Sequence, residues 1–359
     1  MNDVRQPFQT SSHRYSRGSC RVLKPSLPWK VAALSSTGRS KGNENMTIFS
    51  RPQPGTLPIT LKLLAAILIP SALVSVLAGT SASMGFGMAV GLGMAVTPVS
   101  RPRQIAALIV VGAVLGALAS WAGATPWAIA ALMFFSAVLF AIANQRSAGL
   151  LSLAPIMVIL FGPGPIDLSW WSAALWILGG GLVGFFITRL LKFQAPTLPV
   201  DRRSAWEHGL AVGILCAGVM FWSLTYHVPH GYWIAVTVLM ALRPLADQRR
   251  ETLNGRLIGT FLGAIIALLA VLFLPLWAAV VVAVLCLFTL VWYTMGGAYL
   301  MQALSLTPML LIFASLGDVD RGFELTIERV VFTVVGIAAA VLVALLLRRW
   351  ASRREAVSD

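Results

Sequence analysis

Charge is scarce in this sequence and crowded where it occurs. In the stretch ALRPLADQRRETLNGRLIGTFLG, Ala241 to Gly263, arginines and carboxylates alternate up to Arg256, and a glycine-spaced apolar segment follows without further charge. A guanidinium at such a junction is planar, permanently charged and able to hold a carboxylate through two parallel N–H donors. Arg243 flanks the same stretch, and both arginines equally fit a reading as positive anchors at a membrane surface. Asp247 and Glu251 read as partners of Arg250 in a solvated hairpin. Arg329 lies several residues inside the last apolar segment, with Glu328 before it and Thr333 one turn later. An ionisable side chain inside a span costs about 2.5–3.5 kcal/mol on insertion scales, so Arg329 attracts an anion, pairs with Glu324 or reaches outward to water. Adjacent helical positions point about 100° apart, so Glu328 and Arg329 do not share one partner. Glu328 is the candidate for proton coupling.

The other polar groups suggest less. His227 and His230, in HVPH, have too few ligands nearby for a metal and read as interfacial. Tyr232 and Trp233 open a short apolar segment and are placed to stack on an aromatic solute. Thr237, Thr260 and Pro308 complete the candidate binding set. Cys20, Cys216 and Cys286 have no metal-ligand spacing. GFGMAVGLGM opens no strand-turn-helix unit and so is no phosphate loop. No nucleophile with a base and no paired carboxylates occur, so neither catalysis, a metal nor a cofactor is expected.

The elements that must position these residues are membrane helices. Of 359 residues 58% are hydrophobic and 11% charged, and the mean hydropathy is +0.82. The expected class is an all-α polytopic membrane protein. The net charge of +14 sits in short breaks between apolar runs, which reads as topology and not as a nucleic-acid surface. Residues 1–60 are basic, Ser- and Pro-rich and without a long apolar run, which predicts a disordered cytoplasmic arm. Met46 is an alternative start.

Twelve apolar segments follow, about 61–78, 84–96, 104–121, 127–143, 148–161, 170–191, 209–226, 232–242, 255–273, 276–295, 300–316 and 327–347. They predict a first repeat over 61–191, a link at 192–208, a second repeat over 209–348 and a cytoplasmic tail at 349–359. The halves echo each other: SLAPIMVILF at 152–161 answers SLTPMLLIFA at 305–314, and GAVLG at 112–116 answers GTFLG at 259–263. Two six-helix repeats insert in parallel, with a site expected between the halves. Of 18 Lys and Arg from Lys62 onward, all but Arg321 and Arg329 fall at alternate connections or in the tail, which places both termini in the cytoplasm. The second segment of each half is too short to span, and the fifth carries Pro155 or Pro308; broken segments at matching places point to a transport cavity or to tilted, deeply packed helices. Glycine pairs at 112/116, 180/184 and 259/263 predict close helix contact. Trp121, Trp127, Trp170, Trp171, Trp222 and Trp277 predict an interfacial belt.

The stretch GYWIAVTVLMALRPLADQRRETLNGRLIGTFLGAIIALL, followed by ERVVFTVVGIAAAVLVALLL, resembles the membrane module of the fusaric acid resistance and aromatic acid exporter family. The resemblance rests on Tyr232, Trp233, Pro244, Arg256, Gly259, Thr260 and Gly263. It is weak in the first half, where Ile109 stands at the place of Arg256. It implies an inner-membrane exporter of organic, often aromatic, carboxylic acids, distantly similar to plant malate-channel membrane domains. Larger relatives carry a cytosolic domain where this chain has a short link. The expected partners are a small organic anion and the lipid bilayer, with a periplasmic adaptor protein and self-association admitted and nucleic acid not. A passive organic-anion channel is the first alternative, and a non-transporting membrane subunit or scaffold the second.

Overall fold

Hydrocarbon offers no water to backbone N–H and C=O groups, so apolar segments must satisfy them internally as helices. The computed structural model describes residues 56–145, 153–191, 200–242, 246–296, 299–315 and 319–358, and within them the secondary structure is helical throughout. The helices are α1 (Thr56–Ala78), α2 (Thr80–Val96), α3 (Pro102–Ala122), α4 (Pro126–Asn144), α5 (Leu153–Phe161), α6 (Trp170–Leu190), α7 (Arg202–Thr225), α8 (Tyr232–Ala241), α9 (Ala246–Phe273), α10 (Leu276–Gly296), α11 (Tyr299–Ser315) and α12 (Val319–Ser358). Eight of the described helices, α1, α3, α4, α6, α7, α9, α10 and α12, are long and apolar enough to cross a membrane. The protein is a polytopic helical membrane protein.

Of the remaining four helices, α8 and α11 keep the expected bounds to within a residue. At about 1.5 Å per residue, α8 and the described part of α5 cover only about 15 Å, half of a hydrocarbon core of about 30 Å. By contrast α2 begins at Thr80, earlier than expected, because the Ser83 hydroxyl donates to the Ser71 carbonyl of α1 at 2.7 Å. Polarity there is hidden in a helix contact and does not mark a terminus. Pro308 lies inside α11, whereas Pro155 is the third described residue of α5, where a missing N–H costs little.

Three further boundaries move for similar reasons. The expected hairpin at RPLADQRRE is helical from Ala246, so its charged part forms the opening turns of α9. The expected link already turns helical at Arg202, where the Asp201 carboxylate caps α7 by accepting from the Arg203 and Ser204 N–H groups. The expected tail continues α12 to Ser358. Residues 56–60, assigned to the arm, belong to α1; residues 1–55 lie outside the described residues.

Neighbour pairs recur in the two sets of six. α2 packs on α6 as α8 does on α12; α3 meets α5 and α6 as α9 meets α11 and α12; α4 meets α5 as α10 meets α11. Between the sets α4 packs on α7, and α1 on α10, where Trp292 Nε1 donates to Thr56 Oγ1 at 2.9 Å. Exposed apolar side chains face outward, and Trp121, Trp127, Trp170, Trp171, Trp222 and Trp277 stand exposed at helix ends, as a bilayer interface requires.

Glycine sets the spacing at two seams. Gly180 and Gly184 bring α6 onto the Phe86 and Val90 carbonyls of α2, and Gly259 and Gly263 bring α9 onto Leu300 and Leu304 of α11. Gly112 and Gly116 instead leave room for the side chains of Leu92 and Ile177. A Cβ at Gly263 would stand 2.8 Å from the Leu304 carbonyl oxygen and 2.9 Å from Pro308 Cδ, whereas Gly218 has open space around it. Gly263→Val is therefore expected to destabilise the purified protein by about 1–3 kcal/mol, read as a lowered thermal midpoint in detergent. Gly218→Val on the same background should change it little.

Candidate anion site on α8, α9 and α12

The site is assembled by the seam between α9 and α12. A Cβ at Gly322 would meet Val271, while Thr333 and Thr260 line one groove, so the two helices run antiparallel. Arg256 precedes Thr260 by one turn on α9, and Arg329 precedes Thr333 by one turn on α12. In antiparallel register the two arginines therefore flank the threonine pair from opposite sides. All four are buried, with exposures of 1% for Arg256, Thr260 and Thr333 and 2% for Arg329.

Both arginines are buried without a carboxylate partner among the described residues. Two guanidinium nitrogens of Arg256, Nε and Nη2, have no hydrogen-bond partner, nor do the hydroxyls of Thr237, Thr260 and Thr333. Arg329 lies within electrostatic reach of Arg256, Tyr232 and Tyr299. Two like charges held near one another away from water raise a positive potential that a bound anion would offset.

Aromatic rings complete the outer end. Arg329 Cζ lies 5.0 Å from the Trp233 ring centroid, a cation–π contact. The other neighbour of Trp233 is His230, stacked at 5.2 Å and 23°, and His230 Nδ1 lies 2.7 Å from Glu328 Oε2. Tyr232 meets both rings edge-on. His227 and His230 both have positive φ, 51° and 52°, a left-handed conformation uncommon outside glycine. That turn aims the His230 ring at Trp233 and Glu328.

Tyr232, Trp233, Thr237, Arg256, Thr260 and Arg329 thus gather around α8, α9 and α12. Glu328 is adjacent but faces His230, as the 100° step between neighbours requires. The alternatives for Arg329, an ion pair with Glu324 or reaching outward, are not what the fold shows. Pro308 sits elsewhere, against Gly263 on the α9–α11 seam. Arg243 and Pro244 lie outside the described residues. The gathering falls within the second six helices and not between the two sets, because its arginines have no counterpart in the first: Ile109 is apolar and buried, and fills the space beside Gly181 on α6.

Sequence reasoning missed the part played by His230, read only as interfacial. Tyr299 was missed too; its hydroxyl donates to the Met240 carbonyl at 3.3 Å and ties α11 to the end of α8. The spacing Arg-x-x-x-Thr in both α9 and α12 was the available signal.

Comparison with known proteins finds similarity over the second part of the chain. The profile of the family described as Fusaric acid resistance protein-like matches residues 215–343, which run from within α7 to within α12 and contain the whole cluster. Over those residues the chain is similar to that family. A stretch of 128 residues is 30% identical to the inner membrane protein YccS of Escherichia coli (strain K12), covering 35% of this chain and 17% of that protein. No solved structure matches.

The contact between His230 and Glu328 joins a loop to a spanning helix and is partly exposed, so its removal should cost no more than about 1 kcal/mol. A double-mutant cycle with His230→Ala and Glu328→Gln, read by thermal unfolding in detergent, should give a coupling of that size. A coupling indistinguishable from zero would show that the pair does not hold the loop.

Proposed function

We propose that the protein is a secondary transporter of the bacterial inner membrane that exports small organic anions, aromatic carboxylates among them. The observation that carries this reading is the Arg256 guanidinium, buried at the mouth of a spanning helix with Nε and Nη2 unpartnered. A guanidinium desolvated without a counter-ion is costly, and a carboxylate supplies both the charge and the two acceptors it lacks. The family match over residues 215–343 supports a membrane module of this kind. The name of the matched relative supports the inner-membrane placement.

In this reading the recurring neighbour pairs reflect two six-helix repeats related by a pseudo-two-fold axis along the membrane normal. Both termini lie in the cytoplasm, as the distribution of Lys and Arg requires. Arg256 binds the carboxylate, Arg329 with Trp233 guides it toward the outer side, and Tyr232 offers an aromatic face. The pair of His230 and Glu328 supplies protonatable groups for coupling. A periplasmic adaptor and self-association belong to the same proposal.

Arg256→Gln is expected to lower benzoate efflux from cells at least about tenfold, the loss of one charge-assisted contact, with unchanged membrane insertion. Arg256→Lys should retain part of the activity; wild-type efflux in the Gln variant would remove Arg256 from the site. A passive channel is distinguished by current: if transport is coupled, a proton uncoupler abolishes efflux and planar bilayers carry no ohmic benzoate current.

A further inference from the structure

The groove between α9 and α12 opens sideways. It holds about 270 Å³ and is walled by Leu257, Ile258, Phe261, Leu262, Val330 and Val334. Of these, Leu257, Ile258, Phe261, Leu262 and Val334 are 42–54% exposed on the outer face of the bundle, where the bilayer lies. Its lining also includes Thr260 and Thr333, each 1% exposed and each with an unpartnered hydroxyl.

Thr60 and Thr237 are likewise buried with unpartnered hydroxyls, but other buried threonines differ. Thr97, Thr188, Thr307 and Thr326 each donate to the carbonyl four residues earlier on their own helix, at 2.6–3.0 Å. That bond is open to any helical threonine and keeps its hydroxyl satisfied in hydrocarbon. Thr260 and Thr333 forgo it while lining an apolar groove. Such groups at membrane depth require a partner that carries hydrogen-bonding atoms of its own.

The chemistry and size of the groove narrow the occupant. Thr260 and Thr333 each stand one turn further into an apolar run than the arginine that precedes them, Arg256 or Arg329. The volume is far too small for a helix of a second copy, about 10 Å across with its side chains. What fits is a small molecule with an apolar body and one hydrogen-bonding head that dissolves in the hydrocarbon itself.

We propose that this groove is a lateral entrance for the neutral, protonated form of an apolar weak acid. The acid enters from the bilayer core, its body lies among Leu257, Phe261 and Val334, and its carboxyl group bonds to Thr260 and Thr333. One turn from either threonine stands a buried arginine, Arg256 on α9 or Arg329 on α12. This assignment rests on the organic-anion reading above, and adds that the substrate is taken from the membrane and not from the aqueous phase.

The test uses the purified full chain in lipid nanodiscs with a photoreactive benzoic acid bearing a trifluoromethyl diazirine, and mass spectrometry to locate adducts. Adducts should fall on residues 257–262 and 330–334, be competed by unlabelled benzoic acid, and increase as pH is lowered and more of the probe is neutral. The double substitution Thr260→Val with Thr333→Val preserves side-chain shape and should lower groove adducts about tenfold, the loss of two neutral hydrogen bonds. Arg256→Gln should lower efflux at least about tenfold, as above, yet leave groove labelling intact, which separates failure of the entrance from failure of the transport reading. Adducts only elsewhere, labelling unchanged by the double substitution, or labelling that rises with pH would each overturn the proposal. So would a native dimer in which Phe261→Cys cross-links to a second copy, because the groove would then be an interface.

Discussion

Two guanidinium groups are held out of water inside a helical membrane bundle, and much of the second half of the chain is arranged around them. Burying a charge in a low-dielectric medium is tolerable only where something compensates it. Arg329 has the face of Trp233 at 5.0 Å. Arg256 is left with open donors. The two differ in what the fold gives them: the first has an aromatic face, and the second keeps unpartnered donors.

Small residues make that arrangement reachable. Gly259 and Gly263 let α9 lie directly on α11, and Arg256, seven residues before Gly263, falls within about 20° of it on the helix, so Arg256 and Thr260 border that seam on the side toward α12. Gly336 gives α8 the same closeness to α12, with a Cβ there 2.8 Å from Thr237 Cβ. The shortness of α8 matters as much. A helix of ten residues ends about halfway through the membrane. In the turn that precedes it, His230 meets Glu328 of α12.

Several neighbour pairs recur between the first six and the second six helices, and the two sets differ in chemistry. On α3, Ile109 is apolar and buried beside Gly181, whereas on α9 Arg256 is buried and charged. A bundle held by close backbone contact tolerates such exchange, because its seams depend on glycine and small residues and not on the side chain that points into the site. One half supplies packing and the other adds polarity.

The sequence by itself determined the class, most of the succession of helices and the glycine seams at 180/184 and 259/263, and left the burial of Arg256 open. These follow from hydropathy and from spacing along one chain, where each signal is local. It misread the charged stretch before Thr252 as a hairpin, because charge marks solvent exposure without distinguishing a loop from a helix that projects beyond the membrane. Only the tertiary structure decided which polar groups meet. The stack of Arg329, Trp233 and His230, the pairing of Glu328, and the two threonines in one groove join residues about 70 to 100 positions apart. Their encounter depends on the antiparallel register of α9 and α12 and on the depth at which α8 stops, neither of which is written in any single segment.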